Sequence, residues 1–112
     1  MDGDNATKGI NKDYTQNASY PQLVNVTDNS SNSKLYAVWL EENGNTQVRV
    51  AEFDGTSSRS FKDGNSFDGL NLNTAKITGK PSAAAYLYKL IVAWAETNNL
   101  GVPQIRVARS SF

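Results

Sequence analysis

Leu35-Tyr36-Ala37-Val38-Trp39-Leu40-Glu41, followed after a short loop by Gln47-Val48-Arg49-Val50-Ala51, decides the fold of this chain because it occurs twice. Leu90-Ile91-Val92-Ala93-Trp94-Ala95-Glu96 and Gln104-Ile105-Arg106-Val107-Ala108 repeat it, with Trp and Glu at one separation and Gln and Arg at one separation in both copies. Each pair of runs reads as an antiparallel hairpin, the first with Asn43-Gly44 as its turn signal. Opposing Glu41 to Gln47 places Trp39 opposite Arg49; the same register opposes Glu96 to Gln104 and Trp94 to Arg106. Trp, Glu, Gln and Arg then share one face, with Glu one diagonal step from Arg, within reach of an ion pair and of a guanidinium stacked on the indole. Both faces of the Trp strands are apolar, which predicts sheets covered on both sides.

Working outward, the repetition extends into the flanks. Gly9-Ile10-Asn11 matches Gly69-Leu70-Asn71, and Pro21 matches Pro81 at the same offset. The polar, turn-rich residues 1–19 predict mostly loop. Tyr20 to Val26 is a first strand opened by Pro21, where a missing N–H does least harm. Leu35 to Glu41 and Gln47 to Phe53 follow, separated by a hairpin loop from Glu42 to Thr46, and Ser58 to Lys62 forms a short fourth strand. The second half repeats the order with Pro81 to Tyr86, Leu90 to Glu96 and Gln104 to Arg109, and stops before a second fourth strand. The chain therefore divides into a first unit over 1–62 and a second over 63–112, with about seven strands in all.

A duplicated unit of this length built from four short strands is the signature of a β-propeller blade, for which periods of about 40 to 50 residues are typical. The pattern Gly-(Leu/Ile)-Asn, Pro, Leu-x-x-x-Trp-x-Glu, Gln-(Val/Ile)-Arg-Val-Ala resembles the blade repeats of bacterial extracellular β-propellers, in the style of sialidase-like propellers. That resemblance implies a propeller and a cell-surface or secreted setting. It does not imply sialidase activity, because the aspartate box is absent: Ser66-Phe67-Asp68 continues with Gly69-Leu70. The competing architecture is a single seven-stranded β-sandwich, which suits the length and strand number but treats the repeat as coincidence.

Composition narrows the chemistry. The 112 residues suffice for one ordinary domain, and a mixture of 38% hydrophobic and 20% charged residues, rich in Asn, Ser, Thr and Gly, favours turns over long helices. Eleven basic residues balance eleven acidic ones, so no net field attracts a nucleic acid or an acidic membrane. With no Cys and no His, thiolate or imidazole metal sites, Cys nucleophiles and His-based triads are excluded. No segment approaches the apolar length of a membrane span. No cofactor and no catalytic residue is expected.

Two uses of the quartet follow. The first is a structural clasp that locks the hairpin or joins neighbouring blades; its repetition favours this use. The second is a ligand site repeated once per blade, in which Trp39, Glu41, Gln47 and Arg49, and likewise Trp94, Glu96, Gln104 and Arg106, bind a glycan, the aromatic face stacking a sugar ring and the polar groups holding its hydroxyls. Glu41 and Glu96 form no glycosidase pair, since equivalent residues of adjacent blades have no reason to stand across one glycosidic bond. Asp2-Gly3-Asp4-Asn5 fails the calcium-loop pattern because Ala6 occupies its fifth position. Asp63, Asn65 and Asp68 form ordinary turn chemistry. Two blades do not close a ring, so the chain is expected to be part of a longer propeller or to assemble head to tail, three chains of two blades each giving six. The function expected is a non-catalytic binding module for glycan or protein at a bacterial cell surface; a purely structural repeat comes next, and part of a glycan-active enzyme is a distant third.

Overall fold

A computed structural model describes residues 9–43, 45–53, 59–61, 69–72 and 78–110 of the chain. Among these the fold is all-β, with no helix. β1 (Ala18–Thr27), β2 (Ser33–Asn43), β3 (Asn45–Phe53) and the three-residue β4 (Arg59–Phe61) form one antiparallel sheet in the order β1-β2-β3-β4. β5 (Ser82–Tyr86), β6 (Lys89–Thr97) and β7 (Pro103–Arg109) form a second in the order β5-β6-β7. Each sheet is a meander in which sequence neighbours are spatial neighbours, and among the described residues no strand crosses from one sheet to the other.

The hairpin registers are those the repeated motif predicts. Glu41 pairs with Gln47 and Trp39 with Arg49; Glu96 pairs with Gln104 and Trp94 with Arg106. Pairing in the first hairpin runs further than the pattern suggests. Glu42 opposes Thr46 and Asn43 opposes Asn45, so the expected loop from Glu42 to Thr46 is mostly ladder. Gly44 lies outside the described residues, as do the acidic turns at 2–5 and 63–68.

Pro21 has a different place from the one expected. β1 starts at Ala18, two residues before the expected Tyr20, and Pro21 sits inside it, where the register shifts between Ser19 and Gln22 and Tyr20 takes a φ of 55°. A bulge on an edge strand tolerates proline because no ladder bond is lost there. The second sheet has the same interruption. Thr78 bridges Glu96 as Ala18 pairs with Glu41, and the ladder resumes at Ser82 after Pro81. Tyr20 and Lys80, at equivalent positions of the two interruptions, meet with Nζ 5.5 Å from the ring centroid.

One hydrophobic cluster joins the two sheets. The first contributes Val24, Val26, Tyr36, Val38, Leu40, Val48 and Val50; the second contributes Leu90, Val92 and Trp94. These faces are not equivalent. By the alignment of the repeat, the counterparts of Leu90, Val92 and Trp94 are Leu35, Ala37 and Trp39, which lie on the opposite face of the first sheet. The sheets therefore stack front to back. Gln22 ties the edge strand β1 to the start of the edge strand β5: its Nε2 donates to the Pro81 carbonyl, and its Oε1 accepts the Ala83 amide at 2.9 Å.

Candidate functional site

The period-2 geometry of β2 and β3 puts Trp39, Glu41, Gln47 and Arg49 on one face, and that face is closed. Glu41, Gln47 and Arg49 are 0% exposed and Trp39 is 2% exposed. Four buried polar or amphipathic groups in contact require satisfied hydrogen bonds, because an orphaned buried donor costs about 1–3 kcal/mol.

Glu41 meets the part of that demand that Trp39 brings, and takes two loop amides besides. Its Oε1 accepts the Trp39 indole N–H at 3.0 Å and the Lys12 amide at 2.9 Å, while Oε2 accepts the Asp13 amide at 3.0 Å. The carboxylate thus holds its own strand and the loop that precedes β1. The loop is shaped to reach it: Asn11 Nδ2 donates to the Gln16 carbonyl at 2.8 Å, and the Asp13 carboxylate accepts the Thr15 hydroxyl at 2.6 Å and amide at 2.9 Å. Those two bonds, the hydroxyl first, hold the Asp13 pKa below its ordinary value.

The second copy reproduces the arrangement at equivalent atoms. Glu96 Oε1 accepts the Trp94 indole N–H at 3.1 Å and the Leu72 amide at 3.0 Å. Leu72 stands sixty residues after Lys12, as Gly69 stands after Gly9. Glu96 and Trp94 are buried like their counterparts. Gln104 differs: it is exposed, and its Nε2 turns to the Pro103 carbonyl at 3.0 Å. Arg106 is half-buried, and its inaccessible Nε has no hydrogen-bond partner among the described residues.

The entering loop of the second sheet also grips the first. Leu70 donates its amide to the Val48 carbonyl at 2.9 Å. Asn71 Oδ1 accepts the Val48 amide at 3.0 Å, and Nδ2 donates to the Thr46 carbonyl at 2.7 Å and to Thr78 Oγ1 at 2.8 Å. Thr46 and Thr78 complete the joint: Thr46 Oγ1 donates to the Thr78 carbonyl and accepts the Thr78 amide, both at 2.8 Å. Gly69 is required where the loop meets β3. It has a φ of +62°, and a Cβ there would overlap the Val48 carbonyl oxygen.

Sequence reasoning selects the quartet and the Gly-(Leu/Ile)-Asn loops as related features. What it misses is that the Glu acceptors serve loop backbone amides, at Lys12, Asp13 and Leu72, which carry no side-chain signal. Among the described residues no cluster of acidic side chains is arranged to hold a metal ion, and no helix is long and apolar enough to cross a membrane. Comparison with protein-family models, with curated proteins and with solved structures finds no match to the chain.

Proposed function

We propose that this chain is two blades of a β-propeller and acts as a non-catalytic scaffold, in which the Trp-Glu pair of each repeat locks a blade to the loop that enters it. The observation that carries this reading is the front-to-back stacking of two meander sheets through non-equivalent faces. Such a contact propagates from unit to unit and closes only when the rotation completes a ring, whereas a β-sandwich pairs two sheets through Greek-key crossings. Burial of the first quartet supports the clasp over a ligand site, since a sugar would have to displace the Lys12 and Asp13 amides from Glu41.

Joining three copies of the chain end to end with short Gly/Ser linkers tests the propeller. The joined chain is expected to be a monomeric ring visible as an annular particle by electron microscopy, with a higher unfolding temperature than the single copy. An extended string of sheets would refute the ring.

Binding of a glycan at the surface is a second reading, carried by the β5–β6 turn. Tyr86, Leu87 and Tyr88 are exposed there, and Leu87 and Tyr88 take φ values of 46° and 69° without being glycine or asparagine. Tyr88, in the left-handed region of the two-residue turn, and Tyr86, at the end of β5, present exposed aromatic faces of the kind that stack on a sugar ring. Replacing both tyrosines, Tyr86→Ala with Tyr88→Ala, is expected to abolish retention on a glycan array while leaving the far-ultraviolet circular dichroism unchanged.

A further inference from the structure

The two copies of the Gly-(Leu/Ile)-Asn loop have different fates within one chain. Gly69-Leu70-Asn71 is docked on the outer edge of β3, through the Val48 amide and carbonyl and the Thr46 carbonyl. Gly9-Ile10-Asn11 has no preceding sheet to dock on among the described residues. At the other end of the molecule, β7 is the counterpart of β3, with Pro103, Gln104, Ile105 and Arg106 at the positions of Thr46, Gln47, Val48 and Arg49. It is the edge of its sheet, and no loop is docked there among the described residues.

The consequence is visible in solvent exposure at equivalent positions. Val48 is 0% exposed and Ile105 74%; Val50 is 2% exposed and Val107 66%. Gln47 is sealed and Gln104 is open. The mirror-image difference occurs on the opposite side of the molecule: Leu90 and Val92 are buried against the first sheet, while their counterparts Leu35 and Ala37 are half-buried. Among the described residues, the β7 edge therefore lacks the loop that covers the equivalent edge of β3.

We propose that the occupant of the β7 edge is a second copy of this chain, joined head to tail by its Gly9-Ile10-Asn11 loop. The Ile10 amide of the incoming copy donates to the Ile105 carbonyl, Asn11 Oδ1 accepts the Ile105 amide, and Asn11 Nδ2 donates to the Pro103 carbonyl, atom for atom as Leu70 and Asn71 serve Val48 and Thr46. Docking exchanges two bonds of the free chain, Asn11 Nδ2 to the Gln16 carbonyl and Gln104 Nε2 to the Pro103 carbonyl, for those of the joint. It covers Ile105 and Val107, an exposed apolar strip on an edge strand that otherwise invites irregular association. The Thr46–Thr78 exchange has no counterpart, because Pro103 and Ala18 stand at those positions; the joint between copies is therefore weaker than the joint within one. This inference rests on the propeller reading for the closure of the ring, though not for the joint itself.

Gly9 supplies a selective test. In the free chain a Cβ at Gly9 meets only Asn11 Oδ1, at an ordinary 3.7 Å, whereas at the docked Gly69 it collides with backbone. Native mass spectrometry and light scattering of the full chain at micromolar concentration are expected to find a discrete oligomer for the wild type. Gly9→Ala is expected to raise its dissociation constant by at least about tenfold, the equivalent of one lost interfacial contact, with an unchanged circular dichroism spectrum. Asn11→Ala is expected to act in the same direction. A wild-type chain that stays monomeric would overturn the inference, as would an oligomer that Gly9→Ala and Asn11→Ala leave intact. The three-copy chain separates the two ideas, since it supplies the joints in cis: a closed ring there beside monomeric single copies would reject only the joint between free chains, and association of single copies into open filaments would reject only the ring.

Discussion

Glu41 is a carboxylate employed as a backbone acceptor. Three donors converge on it, and each loses this acceptor when it is removed. Glu41→Ala is expected to lower the unfolding free energy by about 3–5 kcal/mol, a large share of what a domain of this size holds. Glu41→Gln keeps one acceptor oxygen of the two and is expected to cost about 1–3 kcal/mol. Urea denaturation monitored by Trp fluorescence measures both. A ligand-binding Glu would instead leave stability unchanged on substitution, so the outcome also separates the clasp from the glycan site. At Tyr36, on the opposite face of β2, burial first and Glu52 second push the phenol pKa up, in keeping with its place in the shared core.

At the scale of elements, two loops of unrelated sequence converge on one turn. Asp28 Oδ1 accepts the amides of Ser30 and Asn32 at 2.8 and 3.0 Å; Asn98 Oδ1 accepts those of Leu100 and Val102 at 2.8 and 3.0 Å. Each five-residue loop needs a left-handed residue at its fourth position, filled by Ser31 at φ 65° in one and Gly101 at φ 78° in the other. Only the second is free of the side-chain penalty. Ser31→Gly is therefore expected to stabilise the protein by about 1 kcal/mol, and Gly101→Ala to destabilise it by a similar amount, as read from shifts in thermal midpoint. The amide donors of Asn32 and Ser30 also hold the Asp28 carboxyl below its ordinary pKa of 3.8, so its turn is fully supported at neutral pH and loses that support as pH falls through the lowered value.

At the scale of the whole molecule, stability is uneven along the stack. β3 is sealed by the loop through Leu70 and Asn71, while β7 ends its sheet with no such cover among the described residues. Hydrogen exchange under dilute conditions is expected to find the Val48 amide protected at least about a hundredfold more than the Ile105 amide, and to find the difference shrink as concentration rises. Equal protection in the dilute chain would mean that β7 is covered from within.

Much of this organisation is legible in the residues alone. The registers of both hairpins follow from the alternation of side chains across a strand, because a slip of one residue would turn every Trp, Glu, Gln and Arg to the wrong face in both copies at once. The same repetition marks Gly69 and Asn71 as members of a recurrent loop. Pro21 is harder, since a proline that opens a strand and a proline that occupies a bulge have the same neighbours in sequence. The acceptor role of Glu41 and Glu96 is not legible at all: their partners are backbone amides at Lys12, Asp13 and Leu72, and every non-proline residue carries one. By itself the sequence determined the strands, their pairing and the existence of two like units, because these depend on local periodicity. Only the tertiary structure decided that the first quartet is sealed, that unlike faces of the two sheets meet, and that β7 is left open among the described residues, because burial depends on which surface the chain brings against another.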